Sequence, residues 1–354
     1  MKGTTNTDKL TLGLDLGDSR TTFAVLNSDG EVIEEGMVRT SPEDFQRVFS
    51  RFKGSVVALE VGSQSRWASE NLHELGLDVH VANPRQLKLI YGSVDKDDKL
   101  DALRLARLAR FDSKLLYQVY HRSGEAQADL EVLKARGMLI SVRTKLINHV
   151  RGVLKSFGVR VEQCATRCFH KKALEVVPEN LLPGIRPLLS TLEDLAERIK
   201  AVDKTIQRMC DEKYEEQMTV VQQVNGVGPI TGLSFYLTLG NVHRFAKSRD
   251  VGSYLGLRPR RCESGDSTPE LRITKAGDKK LRRLLIQSAH YILGPFGRDC
   301  DLRRWGLRKA EGGKRQKKRA VVAVARKLSV LLHRLLITGE VYEPLRQAEL
   351  NAAA

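Results

Sequence analysis

TLGLDLGDSRTTFAV, residues 11–25, sets the architecture of the front of the chain. Leu12, Leu14 and Leu16 alternate along a short apolar run with Asp15 in its middle, Gly17 and Asp18 supply a turn, and a second apolar run follows over 23–26. Alternation broken by a Gly-Asp pair reads as strand, turn, strand. A carboxylate within such a strand is costly unless it is paired or holds a metal. Asp15 therefore requires partners elsewhere in the chain.

Beyond this hairpin, Asp29-Gly30 makes a second turn before a third strand over 31–38. Ser41, Pro42, Glu43 and Asp44 carry the signals of a helix start, and that helix runs to about residue 52. VVALEV, 56–61, is a fourth strand with Glu60 near its C-terminal end. An amphipathic helix over 65–75 stops at Gly76, a fifth strand covers 79–82, and Pro84 starts another helix. Three strands, helix, strand, helix, strand give an α/β layer with a mixed sheet. This is the order of a ribonuclease-H-like core, in which Asp15 lies on the central strand and Glu60 on its neighbour.

DKDDKLDALRLARLAR, 95–110, then opens a late helix. Asp98 and Asp101 are three residues apart and share a helix face. Taken one at a time these acids read as satisfied or solvated side chains. Four together suit hard cations, because a pair of Mg²⁺ ions about 3.5–4 Å apart, or Mn²⁺ in their place, clamps a phosphodiester through oxygen ligands.

The 354 residues carry a net charge of +16 that is unevenly spread. Residues 221–354 alone contribute +15, against −2 over 1–110, so a polyanion held by the C-terminal part is expected. Five cysteines without framework spacing fit a reducing compartment. Cys164, Cys168 and His170 lack the spacing of a zinc site and read as free side chains. No stretch reaches the ~18 apolar residues of a membrane span, and no apolar leader opens the chain, so a cytoplasmic protein with no membrane partner is expected.

The middle of the chain is helical. One helix covers about 126–157, and Leu192, Leu195, Ile199, Val202, Ile206 and Met209 form a seam spaced by three and four. The seam either closes an antiparallel hairpin or joins two copies. Beyond it, VNGVGPI (224–230) is a glycine-rich turn before an apolar helix, readable as a phosphate-gripping hairpin or a plain turn. The loop RPRRCESGDSTPE (258–270) sets Ser264 among Arg258, Arg260 and Arg261, and a serine so placed could attack a phosphodiester while the arginines offset the charge. Lys275, Lys279, Lys280, Arg282 and Arg283 lie on or before a basic helix over 279–293. GGKRQKKR, 312–319, with Lys314, Arg315, Lys317, Lys318 and Arg319, reads as a flexible phosphate-binding loop ahead of a helix over 320–336.

The series of motifs is specific. LGLDLG with Asp15, ALEVG with Glu60, the D-x-x-D-A-x-x-L-A pattern from Asp98, RTKLINHVRGVLKSFG (143–158), VNGVGPITG, YLGLRPR, SG at 264–265 and ITKAGDKKLRRLL occur in order over about residues 10–337. They resemble the DEDD transposases of bacterial insertion sequences, of the insertion-sequence-110 type, which include Piv-type DNA invertases. The resemblance implies a RuvC-like catalytic domain over 1–115, a helical, coiled-coil-like domain over 116–218 used for assembly, and a mainly helical transposase domain over 219–354. It further implies Mg²⁺ on Asp15, Glu60, Asp98 and Asp101, with Ser264 as a nucleophile that links covalently to DNA. Its implied partners are donor and target DNA, a structured bridge RNA that pairs with both, and further copies of the chain as dimer or tetramer, at the nucleoid of a bacterium or archaeon. The acid cluster is richer than the family pattern, so Asp97 stands as an alternative to Asp98, and Ser267 as an alternative to Ser264. Competing readings are a RuvC-like structure-specific nuclease without the serine chemistry, a non-catalytic nucleic-acid-binding protein, and an actin-like or sugar-kinase-fold ATPase, for which a second phosphate loop is missing.

Overall fold

The computed structural model describes residues 10–85, 87, 97–262, 264, 267, 269 and 271–346. The chain divides into two compact units, Met1–His121 and Arg122–Ala354. The helix start at Pro84 runs into 86 and 88–96 and so lies outside the described residues.

The first unit is a five-stranded sheet in the order β3-β2-β1-β4-β5. Its strands are β1 (Thr11–Leu16), β2 (Arg20–Leu26), β3 (Val32–Arg39), β4 (Val56–Glu60) and β5 (Asp78–Ala82). β1 pairs antiparallel with β2 and parallel with β4, β2 pairs antiparallel with β3, and β4 runs parallel to β5. This is the mixed, RNase-H-like sheet expected from the sequence, with Asp15 on its central strand. Helices α1 (Pro42–Phe49) and α2 (Ser65–Glu74) cover one face. Ser41 caps α1 by accepting from the Asp44 N–H at 3.2 Å. Phe45, Phe49, Ala68 and Leu72 bury against Leu12, Leu14, Val57 and Leu59.

Helix α3 (Asp98–Asp112) covers the other face. Its contact with β1 is so close that a Cβ added to Gly13 would stand 2.0 Å from the Ala102 carbonyl oxygen and 2.5 Å from the Ala106 nitrogen. Only a residue without a side chain fits there. At its far end Arg110 donates to the Ser28 carbonyl in the β2–β3 turn, so α3 runs antiparallel to β1.

The second unit begins with a long antiparallel pair, α4 (Gly124–Ser156) and α6 (Leu182–Arg208). At one end Ile147, Val150 and Leu154 pack with Ile185, Leu189 and Leu192, closed by Phe169 of the short α5 (Phe169–Leu174). At the other end Leu130 and Leu133 meet Ile206 and Cys210, in one core with the C-terminal helices. The seam is therefore spent within the chain. Leu192, Leu195, Ile199 and Ile206 are buried, with Val202 and Met209 half-buried, which removes the alternative in which these residues join two copies.

A π-helical turn, Met209–Lys213, leads on to α7 (Glu215–Val221). Beside the turn, Asp129 of α4 accepts from the Tyr214 hydroxyl and from Lys213 Nζ, both at 2.5 Å. Five further helices follow: α8 (Pro229–Leu239), α9 (Arg249–Tyr254), α10 (Lys279–Leu293), α11 (Asp301–Ala310) and α12 (Lys314–Thr338). α12 is the axis of this bundle. Val324, Ala325, Leu328 and Leu332 are fully buried on it, and His333 is held between Ser248 Oγ and the Val242 carbonyl oxygen, each at 2.9 Å.

One expectation is corrected. Lys314–Arg319 is the exposed first turns of α12 and not a flexible loop. Lys, Arg and Gln are good helix formers, and Gly313 marks the boundary. The glycine-rich stretch 224–230 turns between α7 and α8, with Pro229 opening the helix. Among the described residues no helix is long and apolar enough to cross a membrane.

Candidate active site

β1 and β4 set two acids side by side. Their register runs Gly13↔Ala58, Leu14↔Leu59, and its next step sets Asp15 beside Glu60. Side chains two apart on a strand share a face. Asp15 therefore lies on the face of Gly13, and Glu60 on the face of Ala58, which is the face covered by α3. Both acids are half-buried at the C-terminal edge of their strands.

α3 brings its own acids to that edge. Ala102 and Ala106 sit over Gly13 of β1, while Leu105 and Ala109 pack with Ala58 of β4. Side chains four apart on a helix share a stripe. Asp98 thus continues the stripe over β1, and Asp101 the stripe over β4. One helical turn advances 5.4 Å and two strand residues about 6.6 Å, so in this antiparallel crossing both stripes reach the level of Asp15 and Glu60. Asp98 is exposed, and Asp101 lies 3.4 Å from Arg104. Asp97 instead caps α3, accepting from the Lys99 N–H at 3.0 Å.

The donor set of the four acids is all carboxylate oxygen, which suits Mg²⁺ or Mn²⁺. Among the described residues, however, no three His, Cys, Asp or Glu side chains stand close enough together to share one ion. The acids meet at one edge rather than at one point. Cys164, Cys168 and His170 form no such group either; the thiols are free, and His170 Nε2 lies 3.5 Å from Glu193.

Ser264 lies on a hairpin in the second unit. Gly256, at φ +67°, starts it in a conformation that favours glycine, and an added Cβ would stand 2.3 Å from both N and O of Ala276. The arms are joined by Arg260 N–H to Arg272 O at 3.0 Å and Thr274 N–H to Arg258 O at 2.9 Å. Farther out, Ser264 and Ser267 exchange both backbone hydrogen bonds, at 3.3 and 3.1 Å. Both are exposed, and each is opposite the other.

The expected nucleic-acid-binding cations divide by environment. Arg258, Arg260, Arg261, Lys275, Lys279, Lys280, Arg283, Lys314, Arg315, Lys317, Lys318 and Arg319 are exposed or half-buried. Lys280 also reaches back to the Lys134 carbonyl at 3.4 Å. Arg282 differs. It is 8% exposed and donates to the carbonyls of Leu255, at 2.9 Å, and Ala276, at 2.6 Å. A guanidinium so enclosed ties α10 to the base of the hairpin and does not face a ligand.

The hairpin arms, α11 and α12 enclose a groove of about 1530 Å³. It gathers Arg260, Lys275, Arg315, Lys318 and Arg319, and adds residues that carried no signal in the sequence: Trp305, Arg326 and Lys327. Lys327 Nζ stands 4.1 Å from the Trp305 ring centroid, and burial together with the charge of Arg308 lowers its pKa. Trp305 stands alone between basic residues, and Lys327 lies within an apolar helix, so only the folded chain brings them together.

Comparison with known proteins gives the family. A family model described as a transposase of the DEDD class matches residues 12–158, and one described as "Transposase IS116/IS110/IS902 family" matches residues 218–296. The transposase for insertion sequence element IS1111A of Coxiella burnetii is 30% identical, over 94% of this chain and 90% of its own length. The pilin gene-inverting protein of Moraxella bovis is 23% identical, over 77% of this chain and 75% of its own. RuvC of Thermus thermophilus aligns with 29% of this chain and 96% of its own at 19% identity, with a TM-score of 0.22. Matched across both units, and with a relative at that identity along nearly its whole length, the chain belongs to the IS116/IS110/IS902 family of transposases, enzymes that cut and rejoin DNA.

Proposed function

We propose that this transposase is an RNA-guided, site-specific DNA recombinase that mobilises its own element. In this reading Asp15, Glu60, Asp98 and Asp101 hold Mg²⁺ and Ser264 is the nucleophile. The observation that carries it is the arrangement of α3: the stripe of Ala102 and Ala106 over Gly13 extends to Asp98, and the stripe of Leu105 and Ala109 over Ala58 extends to Asp101. The bound metal supplies Lewis-acid stabilisation of phosphodiester oxygens. Asp97, spent on the helix cap, is the weaker candidate ligand.

The serine step balances simply. Ser264 Oγ attacks phosphorus, loses its proton, and forms a phosphoserine ester while one bridging P–O bond breaks and a deoxyribose oxygen leaves as the hydroxyl. Attack by that hydroxyl, or by one from a second duplex, reverses the ester and rejoins the strand. The exposed guanidinium groups of Arg258, Arg260 and Arg261 offset the charge that builds on the phosphoryl oxygens. Domain bounds at 115 and 218, assembly as a dimer or tetramer, and action at the nucleoid belong to the same reading.

The test is reconstitution with Mg²⁺, RNA transcribed from the flanks of the gene, and matching donor and target DNA. Strand exchange that needs the RNA and is abolished by Asp15→Asn and Asp98→Asn is expected. Exchange that proceeds without RNA, or survives Asp15→Asn, overturns the reading.

A further inference from the structure

We infer that the groove between the hairpin arms, α11 and α12 holds an unpaired DNA strand. The inference rests on the reading that the Ser264 hairpin works on DNA, and it names what the neighbouring surface does.

Charge decides first. Among the described residues, the groove is lined by eleven Lys and Arg side chains against three acids. Two of those acids are already offset, since Glu340 pairs with Arg334 at 2.9 Å and Glu343 lies 3.8 Å from Arg346. The remaining surplus calls for a polyanion. A phosphate backbone suits this field, because exposed cations reach the groove from three elements: Arg260 from a hairpin arm, Lys309 from the end of α11, and Arg315 and Lys318 from the first turns of α12.

The apolar lining decides second. Ile273, Trp305, Val322 and Val330 are half-buried and face the same groove. A duplex offers phosphates and base edges while its ring faces stay stacked inside. A groove that sets an indole and aliphatic side chains between cations fits a ligand that shows phosphates and bare ring faces together, which is an unpaired strand. Lys327 Nζ lies 4.1 Å and Lys309 Nζ 5.8 Å from the Trp305 ring centroid, so ammonium groups able to pair with phosphates stand close to an indole on which a base can stack once they swing aside.

Position decides third. Pro259, Arg260, Arg272 and Ile273 belong to the two arms of the Ser264 hairpin and also line the groove. A strand lying in the groove therefore continues along the hairpin. For an enzyme that cuts and rejoins DNA, this favours DNA over other unpaired polyanions.

The chain has two tryptophans, Trp67 and Trp305, so Trp67→Phe in the full-length protein leaves a single reporter inside the groove. The probes are a short single-stranded oligodeoxynucleotide, the duplex of the same sequence, and the matching RNA single strand, titrated at one salt concentration. Single-stranded DNA is expected to quench Trp305 and to bind about tenfold or more tighter than the duplex. Trp305→Leu, followed by anisotropy of labelled DNA, should weaken the single strand about tenfold, the stacking contribution of one base. Trp305→Phe should retain most of the affinity, which separates stacking from fold damage. Lys309→Gln should lower the salt slope by about 0.7, the value for one phosphate on a single strand. Equal quenching and affinity for the duplex overturn the inference, and so does tighter quenching by RNA, which would assign the groove to that polymer. Loss of quenching with adduct formation intact sinks the groove alone. Loss of the adduct with quenching intact sinks the serine reading alone.

Discussion

Gly13 of β1 lies directly beneath Ala102 of α3, with room for a hydrogen and nothing larger: a Cβ there would stand 2.0 Å from the Ala102 carbonyl oxygen. This close approach seats the acid-bearing start of α3 on the edge that carries Asp15 and Glu60. Gly13→Val should force the helix outward and destabilise the first unit by about 3 kcal/mol, at the upper end of overpacking costs. Urea unfolding followed by Trp67 fluorescence in a Trp305→Phe background reads that unit. A midpoint equal to the parent's would mean the crossing is looser than described.

Asp97 and Asp98 should part company on mutation. Asp97→Ala removes an N-cap and should cost about 1 kcal/mol of stability while leaving recombination largely intact. Asp97→Ser should restore the stability. Asp98→Asn should leave stability unchanged and abolish strand exchange. The opposite pattern of activities would make Asp97 the ligand.

Arg282 separates structure from binding within one basic helix. Arg282→Gln strands the carbonyls of Leu255 and Ala276 and should lower stability by about 2 kcal/mol. The salt dependence of DNA binding should not change. Lys318→Gln should do the reverse, leaving the melting temperature in place and reducing the salt slope on single-stranded DNA by about 0.7. A reduced slope for Arg282→Gln would contradict its assignment as a tie within the fold.

Burial pushes the Cys210 thiol up to about 11, with the charge of Asp211 adding to it. A thiol whose folded pKa exceeds its unfolded one of 9.0 binds its proton more tightly when folded. Its contribution is fully present below pH 9 and is lost as pH rises through about 11. Urea midpoints should fall across this window, and Cys210→Ala should flatten the fall. An unchanged pH profile in that variant would place the alkaline sensitivity elsewhere, with Tyr214, whose pKa is raised by burial and by Asp129, as the next group to test.

Much of the first unit is legible in the sequence because its signals are local. Alternation around Asp15, the Asp29-Gly30 turn and the Ser41-Pro42 helix start each act within a few residues, and the sheet order follows from their succession. The π-turn at Met209–Lys213 leaves no trace, since it arises where α6 meets α4 and Tyr214 reaches Asp129. Charge density misleads twice for one reason. A run of cations states a preference for solvent or phosphate but not a backbone conformation, so 314–319 reads as a loop although it is helix. Nor does it reveal that one cation, Arg282, turns inward to two carbonyls. Gly13 reads only as a small residue in a strand, because the helix that requires it lies some ninety residues on.

The proposed chemistry needs both the acids at the sheet edge and the serine on the hairpin, and the serine can be read chemically. Wild-type protein, Mg²⁺, guide RNA and radiolabelled DNA would be trapped in denaturant, digested with protease, and the DNA-bearing peptide sequenced by mass spectrometry. A phosphodiester on Ser264 is expected, absent from Ser264→Ala and from Asp15→Asn. An adduct on Ser267, or cleavage that leaves no protein on the DNA, would show that Ser264 is not the nucleophile.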